Sequence, residues 1–218
     1  MVTLKLYGHP FSSYTWKGLI PLYANDTPFE FRLIAPDQPD NGAFVAAAHP
    51  AGKFPVLVDG DTTVIEATSI VDYLALHHPG PAPLIPAEPA EAVTARMLDR
   101  VFDNYVMHNM NRVVTAHIVG GENPDQNEIA SAKEALRRVY RWLEDWLTHN
   151  ALPPQVSLVT CAAAPSLFYA DWVERIPEHH PRLRALRGEL LALPAVERCV
   201  EDARPFRHYF PPAAPDRD

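Results

Sequence analysis

Three short stretches in the first third of the chain carry residue types that can do chemistry together. The first is Tyr7–Gly8–His9–Pro10–Phe11–Ser12–Ser13–Tyr14–Thr15, in which hydroxyls cluster where a strand-like run gives way to a helical one. The exposed N–H groups and dipole of a helix start favour an anion, a thiolate included. A serine hydroxyl donating to a thiol sulfur favours its charged form and lowers its pKa. Plain N-capping by Ser12 or Ser13 is the alternative use of the same residues. The second stretch is Gly52–Lys53–Phe54–Pro55–Val56–Leu57. A proline at this point suits an edge strand or a cis bond, leaving the Phe54 backbone free to pair with an extended peptide, while Lys53 offers an ammonium to a carboxylate. A turn proline beside a solvated lysine is the competing account. The third is Ile65–Glu66–Ala67–Thr68–Ser69. Here a carboxylate can hold an amine while the N–H groups of Ala67 and Thr68 take a carboxylate; capping by Glu66 or Thr68 is the alternative.

The elements that must position these stretches follow from periodicity and from where the 23 prolines fall. The cluster His78–Pro79–Gly80–Pro81–Ala82–Pro83–Leu84–Ile85–Pro86 cannot be helix or central strand and reads as a linker. Before it the order is β-α-β-α-β-β-α: a strand at Thr3–Tyr7, a helix over Phe11–Ala24, a strand at Phe29–Leu33 and a short helix at Asn41–Ala48. A hairpin turns at Asp59–Gly60–Asp61, and a helix follows over Ala67–Leu76. Pro21 lies inside the first helical pattern and is expected to kink it or end it early. After the linker the pattern is helical: Arg96–Val119, Glu128–His149 with Asp125 or Asn127 as cap, an apolar helix over Val159–Arg175, then Pro181–Leu191 and Pro194–Asp202, each with proline in its first turn. This order predicts an α/β domain over 1–80 and an all-α bundle over 89–218.

The order and spacing of the three stretches together resemble the soluble glutathione transferase family over nearly the full length. Gly8–His9–Pro10–Phe11–Ser12 looks like its serine-type classes, bacterial-like or phi- and theta-like. Gly52–Lys53–Phe54–Pro55–Val56–Leu57 is similar to its cis-proline loop, and Asp59–Gly60, Glu66 and Ile70–Val71–Asp72–Tyr73–Leu74 are similar to the hairpin and helix that follow. The resemblance implies a thioredoxin-like N-terminal domain, an all-α C-terminal domain, a homodimer and glutathione as co-substrate. It also implies roles: Ser12 activates the thiol, with Ser13 as fallback; Lys53 meets the glycine carboxylate; Phe54 and Pro55 meet the cysteinyl backbone; Glu66, Ala67 and Thr68 meet the γ-glutamyl end. Tyr105, His108 and Met110, on the first long helix, stand where the family places its electrophile pocket. Three positions depart from the pattern: Ala67 stands where the family has a serine, Thr160 where a capping box has aspartate, and Pro21 inside a helix the family normally keeps unbroken. The activity implied is addition of the glutathione thiolate to small hydrophobic electrophiles; a non-catalytic, stress-related binding protein of the same fold is the alternative.

Composition narrows the classes. The chain has 218 residues, 19 basic and 27 acidic, for a net charge of −8, and nothing resembles a basic patch that would track phosphates. No apolar run reaches the roughly 20 residues of a membrane span, and the first residues show no leader pattern. Two cysteines, Cys161 and Cys199, make no disulfide framework and fit a reducing cytoplasm. Adjacent histidines at 77–78 and 179–180 lack the i, i+4 spacing of a metal pair, so no metal is expected.

Overall fold

The computed structural model describes residues 4–211 and 213–218; Thr3 of the expected first strand lies outside them. Four strands, β1 (Leu4–Gly8), β2 (Phe29–Leu33), β3 (Val56–Asp59) and β4 (Thr62–Ile65), form one sheet in the order β2-β1-β3-β4. β1 runs parallel to β2, with Leu6 opposite Phe31, and antiparallel to β3, with Leu6 opposite Leu57. The parallel pair requires a crossover, which α1 (Ser13–Ala24) supplies. Helices α2 (Pro39–Ala48) and α3 (Ala67–His77) complete this half.

α1 lies at the centre of the molecule. Nine of its twelve residues are buried, Ser13, Lys17 and Thr15 among them, because α3 covers one side and α7 (Leu158–Val173) another. Trp16 meets Phe168 and Tyr169 of α7 at ring-centroid distances of 4.9 and 5.4 Å. Pro21 does not end the helix, which continues to Ala24. Proline lacks the N–H that would bond the carbonyl four residues back, so only the Lys17 carbonyl loses its ladder partner, and the burial of Leu19, Ile20 and Leu22 offsets that single loss. Pro165 sits inside α7 in the same way.

In the helical half, α4 (Pro89–Val101) starts at Pro89, seven residues before the expected Arg96. The Glu88 carboxylate caps it by accepting the Glu91 N–H at 2.7 Å. A π-turn over Phe102–Met107 then joins it to α5 (His108–Gly120), where sequence periodicity suggested one unbroken helix. α6 (Gln126–His149) is capped by Asp125, which accepts from the Asn127 and Glu128 N–H groups at 2.9 and 3.1 Å. α7 is buried along nearly its whole length, Cys161 included. The Thr160 hydroxyl accepts the Ser157 N–H at 3.2 Å, so threonine fills the aspartate position of the cap. α8 (Pro181–Leu191), α9 (Pro194–Ala203) and a 3₁₀ turn at Arg204–Tyr209 close the chain. No helix among the described residues is long and apolar enough to cross a membrane.

Candidate functional site

The loop between β1 and α1 is held from several directions. A Cβ on Gly8 would come within 2.6 Å of Thr15 Cγ2, so glycine is what lets β1 end against the first turn of α1. The Thr15 hydroxyl accepts the His9 N–H at 3.3 Å, and the His9 ring accepts the Phe11 N–H at 3.1 Å. The Trp16 indole donates to the Pro10 carbonyl at 2.6 Å, and the Tyr169 hydroxyl donates to the Phe11 carbonyl at 2.9 Å. These bonds set Ser12 as the N-cap of α1, its Oγ accepting the Thr15 N–H at 3.3 Å. A hydroxyl has two acceptor positions and one proton, so capping leaves the Ser12 proton available to a ligand. Ser13 is the first helical residue and is buried.

Two cavities meet at this helix start. One, of about 200 Å³, is lined by Lys53, Phe54, Pro55, Glu66, Ala67 and Tyr14, among others. The Phe54–Pro55 bond is cis. Glu66 has φ +68°, left-handed backbone for a residue with a side chain, and its carboxylate makes no capping bond to α3. Instead His49, 7 % exposed, bridges to it: the Ala51 N–H donates to His49 Nδ1 at 3.0 Å, which leaves Nε2–H to donate to Glu66 Oε1 at 3.3 Å. The second cavity, about 220 Å³, lies beside Ser12 and Ser13 and is walled by Phe11, Met110, Tyr169 and Phe210. Phe210 of the tail packs on Phe11, Tyr169 and Trp172 with centroids 5.1–6.3 Å apart. Arg217 holds the tail to α7 by pairing with the Asp171 carboxylate and donating to its carbonyl at 2.8 Å. A larger cleft of about 650 Å³, with Lys53, His108, Asn111 and Arg112 in its wall, opens from the same place.

Not every expected residue faces these spaces. Tyr105 lies on the exposed side of the π-turn and contributes to none of the three walls. The Thr68 hydroxyl turns inward instead of toward the Glu66 cavity, accepting from Lys17 Nζ at 2.8 Å and contacting Asp99 at 3.1 Å. Its backbone N–H, in the first turn of α3, remains one of the donors that a helix start leaves without an internal partner.

Sequence reasoning missed what Thr68 joins. Lys17 is 1 % exposed and reaches Asp99 at 2.5 Å and Asp103 at 2.6 Å as well as Thr68, so its three N–H bonds have three acceptors. Arg100 pairs with the same two carboxylates, giving two cations for two anions. Burial, foremost, raises the Asp103 pKa, with Lys17 opposing. Asp103 Oδ1 is buried without a partner, and the residue forms part of the wall of the Glu66 cavity.

Comparisons with known proteins bear on the fold that carries these residues. Residues 6–82 match the family model for the glutathione S-transferase N-terminal domain. The chain is 26 % identical over 216 residues to a probable maleylacetoacetate isomerase of Vibrio cholerae, covering 94 % of this chain and 99 % of that one. The solved structure of glutathione transferase F7 from Populus trichocarpa superposes with a TM-score of 0.78 at 24 % identity, covering 92 % of this chain and 99 % of its own. Residues 6–82 thus carry a glutathione S-transferase N-terminal domain, and the chain as a whole shares the fold of the solved transferases. A glutathione S-transferase from Methylobacterium radiotolerans, solved in complex with glutathione sulfonate, superposes with a TM-score of 0.74 at 24 % identity, covering 91 % of this chain and 94 % of that one. Within this fold, the sheet half carries Phe11, Ser12, Lys53 and Glu66, and the helical half carries His108, Met110, Tyr169 and Phe210.

Proposed function

We propose that this chain adds the glutathione thiolate to small hydrophobic electrophiles, with Ser12 stabilising the thiolate. The observation that carries the reading is the meeting of two unlike cavities at the start of α1: one with Lys53, Glu66 and Asp103 in its wall, one aromatic beside Ser12. In this account residues 1–80 form the glutathione-binding unit and 89–218 the electrophile unit. Lys53 pairs with the glycine carboxylate, and the cis-proline loop leaves the Phe54 backbone to pair with the cysteinyl residue as an added strand does. Glu66 takes the γ-glutamyl amine, and the N–H groups of Ala67 and Thr68 take its carboxylate. The Ser12 proton points the thiol toward ionisation, and the closeness of the second cavity supplies proximity.

Retention on immobilised glutathione and turnover of a chlorodinitrobenzene test the reading. Ser12→Ala should lower kcat about 10- to 100-fold, because a hydrogen bond to a charged group is worth roughly 1.5–3 kcal/mol. The bound thiol should then ionise at higher pH. Retention without turnover would favour the non-catalytic binding protein, and no retention would sink both.

The family resemblance also supports a cytoplasmic homodimer. Leu76 of α3 and Val93 and Met97 of α4 are apolar and exposed, on two helices linked by an Arg96–Asp72 ion pair at 3.5 Å. A second copy is the proposed occupant of that face, and Leu76→Glu with Met97→Glu should turn a dimer into a monomer by light scattering. A wild-type monomer would discard it.

A further inference from the structure

Tyr169 of α7 is 2 % exposed, and its hydroxyl reaches across 158 residues of sequence to donate to the Phe11 carbonyl at 2.9 Å. That carbonyl and the Ser12 N–H are the two ends of one peptide unit. The Ser12 N–H donates to the His9 carbonyl at 2.9 Å. A peptide unit is planar, so a bond at each end fixes its plane. With α1 anchoring the chain on the other side, Ser12 is held at φ −90° and ψ 124°, which sets where its Cβ and Oγ stand. The carbonyl before it, that of Pro10, is held by the Trp16 indole at 2.6 Å, but Trp16 belongs to α1 itself. Tyr169 is the clamp on this loop that the helical half supplies. Its ring packs against Phe11, Trp16 and Phe168 at centroid distances of 4.9–5.4 Å and forms part of the wall of the aromatic cavity. A phenol has one proton to give, and here Phe11 takes it.

We propose that Tyr169 is a positioning residue for thiolate formation, which aims the Ser12 hydroxyl by clamping the Phe11–Ser12 peptide unit from the helical half. This assignment rests on the reading of Ser12 as the thiolate's donor and deepens it by naming what directs that donor. A hydrogen bond weakens steeply as its angle closes, so a donor free to swing stabilises the thiolate less than one held in line. Without the Tyr169 bond the Phe11 carbonyl loses a fixed partner and the peptide plane can tilt. Ser12 then still caps the Thr15 N–H, but its proton is spread over more directions. The clamp comes from α7, so the packing of α7 on α1 is a condition of the chemistry as well as of the fold. The part played by Tyr169 is carried wholly by Ser12, because its own proton is already committed.

The test places Tyr169→Phe in two backgrounds, wild type and Ser12→Ala. Turnover of a chlorodinitrobenzene is measured in each, and the ultraviolet absorbance of bound thiolate is titrated in parallel. In the wild-type background the variant should lose about 3- to 10-fold in kcat near neutral pH. The bound thiol should ionise about half a pH unit higher, and the loss in kcat should shrink as the pH rises above that point. The KM for glutathione should stay within about twofold. In the Ser12→Ala background the same substitution should change both readouts by less than about twofold, since residues that act through one another are not additive. Equal losses in the two backgrounds would assign Tyr169 to packing or to the ligand directly, and overturn the proposal. An unmoved thiolate titration in the wild-type background would overturn it too. A wild type without glutathione retention, or a Ser12→Ala variant that titrates like wild type, fails one level lower, at the reading of the site itself, and takes this assignment with it. Tyr169→Phe keeps the ring; its thermal midpoint and its retention on immobilised glutathione report that the variant is folded.

Discussion

Glu66 in the wall of the polar cavity is set by few atoms. Its backbone is held at φ +68° and its carboxylate is met by a buried imidazole whose tautomer is fixed by the Ala51 N–H. Replacing His49 by Leu removes that bond and leaves the exposed carboxylate free to turn. The KM for glutathione should rise about 3- to 10-fold with kcat nearly unchanged, at the low end of what a charged hydrogen bond is worth because Glu66 is solvated. Steady-state kinetics decide it, and an equal loss in kcat would count against a positioning role. Ala67 is the converse case. It stands in the cavity wall without a hydroxyl, and Ala67→Ser should lower the glutathione KM by up to about tenfold. The position of Ser12 at the start of α1 and of Lys53 and Glu66 on one cavity was legible from local motif spacing, because the backbone of each is set by its own loop. His49 was not, since its partner lies 17 residues on. The bonds of the Thr68 hydroxyl were not legible either, because its partners come from 31 to 51 residues away.

At the level of elements, the π-turn left a trace in the sequence that helical periodicity alone passes over. Leu98, Phe102, Val106 and Met110 are all buried, and each step of four exceeds the helical 3.6, so three steps accumulate about one extra residue. Such one-residue expansions often sit at functional sites, and this one carries Asp103 toward the polar cavity. The helix starts were harder to place: Pro89 reads as the end of a proline-rich linker, yet its missing donor fits the first turn of α4. The hairpin and α3 are tied by Asp59, which accepts from the His78 ring at 2.7 Å and the Tyr73 hydroxyl at 3.0 Å. The His78 bond, first, holds the Asp59 pKa below the usual aspartate value. A carboxylate lowered by folding stabilises above its unfolded pKa, and that contribution is lost as the pH falls through its folded value. The urea midpoint of wild type should therefore exceed that of Asp59→Asn at neutral pH, and the two should converge as the pH drops below about 4. A gap that stays constant would assign the tie to something other than the charge.

Across the whole molecule, the two halves are joined at a charged centre as well as an apolar one. Lys17 of α1 is inaccessible to water and is answered by Asp99 and Asp103 from the helical half. Removing one member of a buried ion group leaves the others uncompensated, so Lys17→Met should destabilise the protein by about 3–5 kcal/mol in urea unfolding. Lys17→Met with Asp99→Asn should recover part of that loss, since the remaining charges, Arg100 and Asp103, balance. The fold class was readable from the alternation of periods, but this centre was not: a lysine in an apolar helix gives no sign of partners 82 and 86 residues ahead. The same centre bears on a chain cut in the Pro79–Pro86 linker. The first fragment would then carry an unanswered buried cation, and the second a surplus of buried carboxylate. Neither piece would be at ease alone, and each would hold the counter-charge the other lacks. Co-expressed, the two fragments should find one another and restore the site between them, so the linker is a natural place to build a split reporter whose signal depends on reassembly.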